Sequence, residues 1–239
     1  LEKHIQRHHI SGLGPFIKRT ISAQLHLLGA LLAVVGAVVL LIKCTARDTG
    51  PDFALHLVAC SVFSITGFLM FGSSALYHFC SDGFILSPKL EKILNDFDHF
   101  SIYLFIAGTY TPFLINAVPP PWSSILLIMI WIIAIVGILY SYFKPRLPRW
   151  AQHRIISTSI FLMMGWTLVI RFDAIYSSLS PLTFWLLLGG GLSYSIGALI
   201  YAFEWPDFFR GIFGHHELWH LFVMGGFTFH YLLILRFYL

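Results

Sequence analysis

Two histidines four positions apart, His216 and His220, open the last long apolar segment of the chain within His216-Glu217-Leu218-Trp219-His220. On a helix this spacing sets two imidazoles about 6 Å apart along one face, a metal-ligand spacing. Ionisable side chains are costly inside a membrane span and usually face a cavity, a partner or an ion. The other polar outliers are His78, at the end of the second apolar segment, and Asp98, at the start of the third. Zinc favours imidazole nitrogen and small oxygen ligands in a tetrahedral arrangement, and a catalytic site keeps one position for water. The expected ligands are therefore His78, His216 and His220. Asp98 is expected to hydrogen-bond the metal water or take its proton as general base, since zinc lowers the pKa of that water to about 7. Ser74 lies one helical turn before His78 and either orients a ligand, polarises a substrate carbonyl or simply bonds a backbone carbonyl of its own helix.

The HExxH pattern brings a second candidate base, because in soluble metalloproteases the glutamate between two zinc-bound histidines activates water. Glu217 points about 100° away from His216 around the helix. No second signature of an intramembrane protease accompanies it, so an interfacial or ligand-supporting role is expected, and a carboxylate also suits a helix N-terminus. His26, His56 and His230 stand singly in apolar segments and read as hydrogen-bonded packing residues. His99 and His215 adjoin the site but point away from it, so hydration at the interface is expected. Asp96 reads as a loop or cap residue, and His4, His8 and His9 as part of a basic, cytosolic N-terminal segment spanning 1–20.

The elements that must carry these residues follow from hydropathy. Of 239 residues, 57% are hydrophobic and only 11% charged, less than half the roughly 25% of soluble domains. A soluble fold of this length has too little interior to hide so much apolar surface, and the mean hydropathy of +0.78 agrees. Apolar runs long enough to span a bilayer fall at about 21–43, 54–78, 99–118, 122–143, 155–173, 182–203 and 216–238. Short connectors carry the breakers: Thr49-Gly50-Pro51, Ser81-Asp82-Gly83, Pro119-Pro120-Pro121, Lys144-Pro145-Arg146, Ser180-Pro181 and Trp205-Pro206. The expected fold is an all-α membrane protein, one seven-transmembrane-helix bundle over 1–239. No short h-region with a cleavage site precedes the first run, so that helix is expected to be retained.

Basic residues beside the spans set the orientation. With the N-terminus cytoplasmic and the C-terminus outside, only Lys43, Arg47, Arg171 and Arg236 of the fifteen Lys and Arg lie outside. The net charge of +4 is thus topological and gives no support for nucleic-acid binding. Cys44, Cys60 and Cys80 form no CxxC pair and read as packing residues. Glycines inside spans, Gly189-Gly190-Gly191 among them, read as close-packing positions. Seven alternating helices put the end of the second, the start of the third and the start of the seventh on one side. That parity brings His78, Asp98 and the His216/His220 pair to the same layer.

At these residues the sequence resembles the hemolysin III family, part of the progestin and adipoQ receptor superfamily that includes the adiponectin receptors. The resemblance rests on Ser74-Ala-Leu-Tyr-His78, on the stretch from Phe97-Asp98-His99 to Tyr110-Thr111-Pro112, and on His216-Glu217-Leu218-Trp219-His220. It implies a seven-helix fold with a cytoplasmic N-terminus, zinc at the positions matching His78, His216 and His220, and Asp98 and Ser74 as the matching aspartate and serine. It also suggests a lipid amidase acting on a ceramide-like membrane lipid, in a bacterial inner (plasma) membrane. The adiponectin receptors' extra N-terminal domain has no counterpart in this sequence, so their hormone recognition is not carried over. Two other readings stay open: a non-enzymatic receptor or signalling protein with structural zinc, and a membrane-perturbing haemolysin or transporter. Few ionisable residues interrupt the spans, which argues against a wide aqueous channel. The oligomeric state is not legible.

Overall fold

The computed structural model describes residues 13–47, 50–83, 87–209 and 212–239, with the side chains of 13–20 and 82–83 outside that description. The basic N-terminal stretch up to residue 12, with His4, His8 and His9, therefore lies outside the described residues. Eight α-helices follow in order: α1 Leu13–Arg47, α2 Phe53–Gly83, α3 Pro88–Ala117, α4 Trp122–Phe143, α5 Arg154–Gly165, α6 Phe172–Ser178, α7 Pro181–Phe203 and α8 His215–Arg236. A 3₁₀ turn at Thr167–Arg171 joins α5 to α6, and these three pieces together make one span, Arg154–Ser178. Seven segments are thus long and apolar enough to cross a membrane, as the apolar runs predict. No strand occurs among the described residues apart from an isolated bridge between Phe209 and Phe213.

Four sequence expectations need correction. Ser81-Asp82-Gly83 does not break α2, which runs to Gly83. α3 starts at Pro88, well before residue 99, because Ser87 accepts the Leu90 N–H and Pro88 sits where no N–H is needed. Asp96 is accordingly no loop residue; it sits inside α3 and pairs with Lys92 one turn back. The run at 155–173 is not one uninterrupted helix either. α5 stops at Gly165, and the break leaves carbonyls that α3 satisfies: the Tyr110 hydroxyl reaches Met164 O at 2.8 Å and Gly165 O at 2.7 Å. In hydrocarbon such a break survives only where a neighbour supplies the hydrogen bond.

α1 packs along α2, α2 along α3, α3 along α4 and α7 along α8, while α8 also lies against α1. The core between α1, α2, α3 and α8 is built on phenylalanines. Phe227 stacks on Phe63 at 5.7 Å and meets Phe71 edge-on at 5.2 Å. Gly29 makes room for this layer, since a Cβ there would stand 2.6 Å from the Phe71 ring. Gly189 and Gly190 likewise face Phe229 and His230, whereas a Cβ on Gly191 would meet nothing within 4 Å. Cys44 and Cys60 are fully buried packing residues. Outward faces carry exposed Leu31, Val35, Ile128, Ile135, Met163 and Trp185, a surface suited to lipid.

Candidate metal centre

α2 delivers His78 near its last turn, and α8 delivers His216 and His220 in its first two turns. Nε2 of His78 lies 3.2 Å from Nε2 of His216. One ligand nitrogen from each of His78, His216 and His220 lies within 4.8 Å of the other two. Zinc–nitrogen bonds of about 2.0–2.1 Å in a tetrahedron set neighbouring donors about 3.3 Å apart. The His78–His216 edge already has that dimension, and the His220 nitrogen stands within 4.8 Å of both. An all-imidazole set of this size suits zinc, which leaves a fourth position for water.

The start of α8 is fixed by a buried carboxylate. Glu217, 1% exposed, accepts the Ser22 hydroxyl of α1 through Oε1 at 2.8 Å and the Gly214 N–H through Oε2 at 2.8 Å. A carboxylate in the first turn of a helix satisfies an otherwise orphaned N–H and suits the local dipole. Glu217 therefore does not snorkel to the interface, and both its oxygens hold α1 and the α8 N-terminus together. Both oxygens are thus engaged one residue along the helix from His216.

Asp98 and Ser74 line the same cavity, a pairing that the sequence reading did not draw. The buried Ser74 hydroxyl is within hydrogen-bonding reach of the Asp98 carboxyl. Nearby, Ser73 donates to Ser101 at 3.0 Å and Ser101 to the Asp98 carbonyl at 2.7 Å, tying α2 to α3 at this level. Asp98 is not within the tight ligand cluster. It lines, with Ser74 and all three histidines, a cavity of ≈ 430 Å³ that runs inward past Phe105 to Gly191 and His230. That volume lies within the usual range for small-molecule sites. His230 is ten residues along α8 from His220, about 15 Å deeper.

Sequence reasoning missed several neighbours. His26 is 3% exposed and lines the same cavity, its ring stacked on that of His220. Neither His26 nitrogen, nor Nδ1 of His220, has a hydrogen-bond partner among the described residues; the Ser22 carbonyl approaches His220 without hydrogen-bond geometry. Packing alone is a poor account of His26, because an orphaned buried polar atom costs about 1–3 kcal/mol. Its position near the start of the first span was the available signal, since parity places it at the same end as His78. His230 is a packing residue that donates to or accepts at the Leu187 backbone, 3.2 Å away, but it also reaches the cavity wall. His99 bonds Asn95 O at 2.8 Å and His215 bonds Asp207 at 3.2 Å; both line the cavity as well, so interfacial hydration does not describe them fully. Lys144, whose ammonium donates to Ser157 at 2.7 Å, and Arg154, paired with Glu204, add cations to that wall.

Seven spans and three converging histidines at one end of the bundle define a polytopic membrane protein with a candidate metal centre. The family model for haemolysin-III-related proteins matches residues 16–231, and the chain belongs to that family. It is similar to Hemolysin-3 of Bacillus cereus, 37% identical over 212 residues that cover 88% of each chain. It is also similar to the Hemolysin-3 homolog of Bacillus subtilis (strain 168), 34% identical over 205 residues covering 86% of this chain and 87% of that one. More distantly, it resembles the human monocyte to macrophage differentiation factor, 25% identical over 170 residues, 70% of this chain and 65% of that protein.

Proposed function

We propose that this protein is a zinc-dependent hydrolase embedded in the membrane, cleaving an amide bond in a ceramide-like lipid. The observation that carries the reading is the convergence of three imidazole nitrogens on the wall of a mostly apolar chamber that also holds Asp98. Zinc bound by His78, His216 and His220 would polarise the amide carbonyl and acidify a water beside it. Asp98 takes the proton of the attacking water and returns it to the amide nitrogen as the carbon–nitrogen bond breaks, leaving an amine and a carboxylic acid whose proton then passes to the amine, giving ammonium and carboxylate. Ser74 holds the Asp98 carboxyl in place through its hydroxyl. Phe105, Ile106, Phe161 and Val223 line the part of the chamber that an acyl chain would fill. Lys144 and Arg154 lie on the same wall and complement the carboxylate released. The balance of basic residues supports a cytoplasmic N-terminus in the bacterial inner (plasma) membrane, which puts the centre on the cytoplasmic side.

The name of the Bacillus cereus relative, Hemolysin-3, favours a second reading, a protein that lyses membranes. One experiment separates the two. The purified chain is assayed for zinc content, for release of fatty acid from an N-acyl sphingoid base, and for leakage of a dye from liposomes. The hydrolase reading expects about one zinc per chain and fatty-acid release that is lost in His220→Ala. Leakage that persists in His220→Ala, without amide turnover by the parent, overturns it.

A further inference from the structure

A second hollow, of ≈ 260 Å³, abuts the candidate centre on the side away from the acyl chamber. Ser22, Ser81, Glu91 and Glu217 bound it together with Tyr77, His78 and His216. Its lining differs in kind from that of the chamber: hydroxyls, carboxylates and imidazoles replace the phenylalanines and isoleucines. Tyr77, His78 and His216 belong to both linings and stand where the more polar vestibule meets the apolar chamber. The vestibule lies toward the bundle end. Ser81 is three residues beyond His78 on α2, Glu91 is in the first turn of α3, and Glu217 is in the first turn of α8. Glu91 is exposed, so a carboxylate stands at the rim.

A divalent cation carries a tightly held hydration shell, and moving a charge through apolar surroundings is prohibitively expensive. The chamber is mostly apolar, and beside the carboxylate of Asp98 it carries the cations Lys144 and Arg154, which repel such an ion. The vestibule offers hydroxyl and carboxylate oxygens in sequence, ending at two imidazoles. Glu217 is not free to follow the ion, because its oxygens are held by Ser22 and Gly214. It acts as a fixed negative charge beside His216. Glu91 has no such tether among the described residues. We propose that the vestibule is the route by which a divalent cation reaches and leaves the three-histidine centre, with Glu91 as the carboxylate that captures it. This rests on the metal reading above and adds to it an entry path separate from that of the lipid.

The test measures exchange, not turnover. Metal-free protein in lipid nanodiscs is mixed with zinc held by a fluorescent chelator, and uptake is followed by stopped flow at several salt concentrations. Release to excess EDTA is followed separately. Glu91→Gln and Glu91→Lys are expected to slow uptake progressively, the latter about tenfold, with the salt dependence reduced and then inverted. Ser81→Phe narrows the vestibule and is expected to slow uptake and release by the same factor, leaving affinity unchanged. Ser81→Ala, which loses the hydroxyl without adding bulk, serves as its control. Gly191→Leu, which grows into open space on the chamber side, is expected to leave both rates unaltered. The route is overturned, with the metal reading intact, if Gly191→Leu slows exchange while the Glu91 and Ser81 variants match the parent. A parent that takes up no zinc overturns both.

Discussion

The imidazole of His26 on α1 lies flat against that of His220 on α8, with 3.7 Å between ring centroids and 16° between planes. Phe71 closes the other side of His26 edge-on at 5.2 Å. A metal in the plane of the His220 ring would sit a ring thickness away from the His26 plane, so His26 in this pose is no fourth ligand. It fixes the plane in which His220 presents its donor. Orientation of a ligand ring by its neighbours is commonly worth 10–100-fold in metal affinity.

His26→Ala removes the stack and is expected to weaken zinc binding about tenfold in chelator competition. His26→Phe keeps a flat ring and removes two orphaned nitrogens. It is expected to hold zinc within about threefold of the parent and to be more stable by about 1 kcal/mol in a thermal melt. Equal loss of zinc in both variants would show that a His26 nitrogen, not its face, is what matters.

The ligands and the base separate by metal content. His78→Ala and His220→Ala each remove a donor and are expected to purify without stoichiometric zinc. Asp98→Asn leaves all three imidazoles in place and is expected to keep zinc while amide hydrolysis falls about 10²–10⁴-fold. Metal analysis and hydrolysis on the same preparations check this, and full turnover by Asp98→Asn would remove Asp98 from the mechanism.

For Glu217 the expected loss is of stability. Glu217→Ala leaves the Gly214 N–H and the Ser22 hydroxyl buried without their partner, at a cost of about 1–3 kcal/mol. In a protein of this size each kcal/mol lowers Tm by about 2–4 °C. Glu217→Gln, which still accepts one of these bonds, is expected to lose less and to retain hydrolysis within about threefold. A Glu217→Gln protein that melts normally, holds zinc and has lost hydrolysis would make Glu217 the base.

Tyr110→Phe strips the hydroxyl that answers the two carbonyls freed where α5 ends. The expected cost is about 1–3 kcal/mol in a thermal melt. Gly165 and Trp166 belong to the chamber wall, so acyl-chain selectivity is expected to broaden while zinc content stays the same.

Helix number and the convergence of the three histidines were legible for the same reason: both follow from the one-dimensional pattern of apolar runs. Once seven spans are counted, parity alone sends His78, Asp98 and His216 to one end, and their side-chain convergence requires only that α2, α3 and α8 be neighbours. The interruption at Gly165 was hidden because the composition of 155–173 stays apolar across it; the hydroxyl that stabilises it comes from α3, fifty-four positions earlier in the chain. His26 escaped notice because a lone histidine in a span has no spacing to recommend it, and its stacking partner is on the last helix. Glu217 lay within a known pattern, but its bond to Ser22 joins α1 to α8, a contact that no spacing within the motif announces.

The two rings of His78 and His216 are both donor and septum. Under the metal reading, these two rings would be held together by a bound cation where the greasy hollow meets the wet one, and without it by a single imidazole contact. Starving the protein of its ion would then do more than silence it: bulk solvent would gain a passage from the end of the bundle toward the middle of the bilayer.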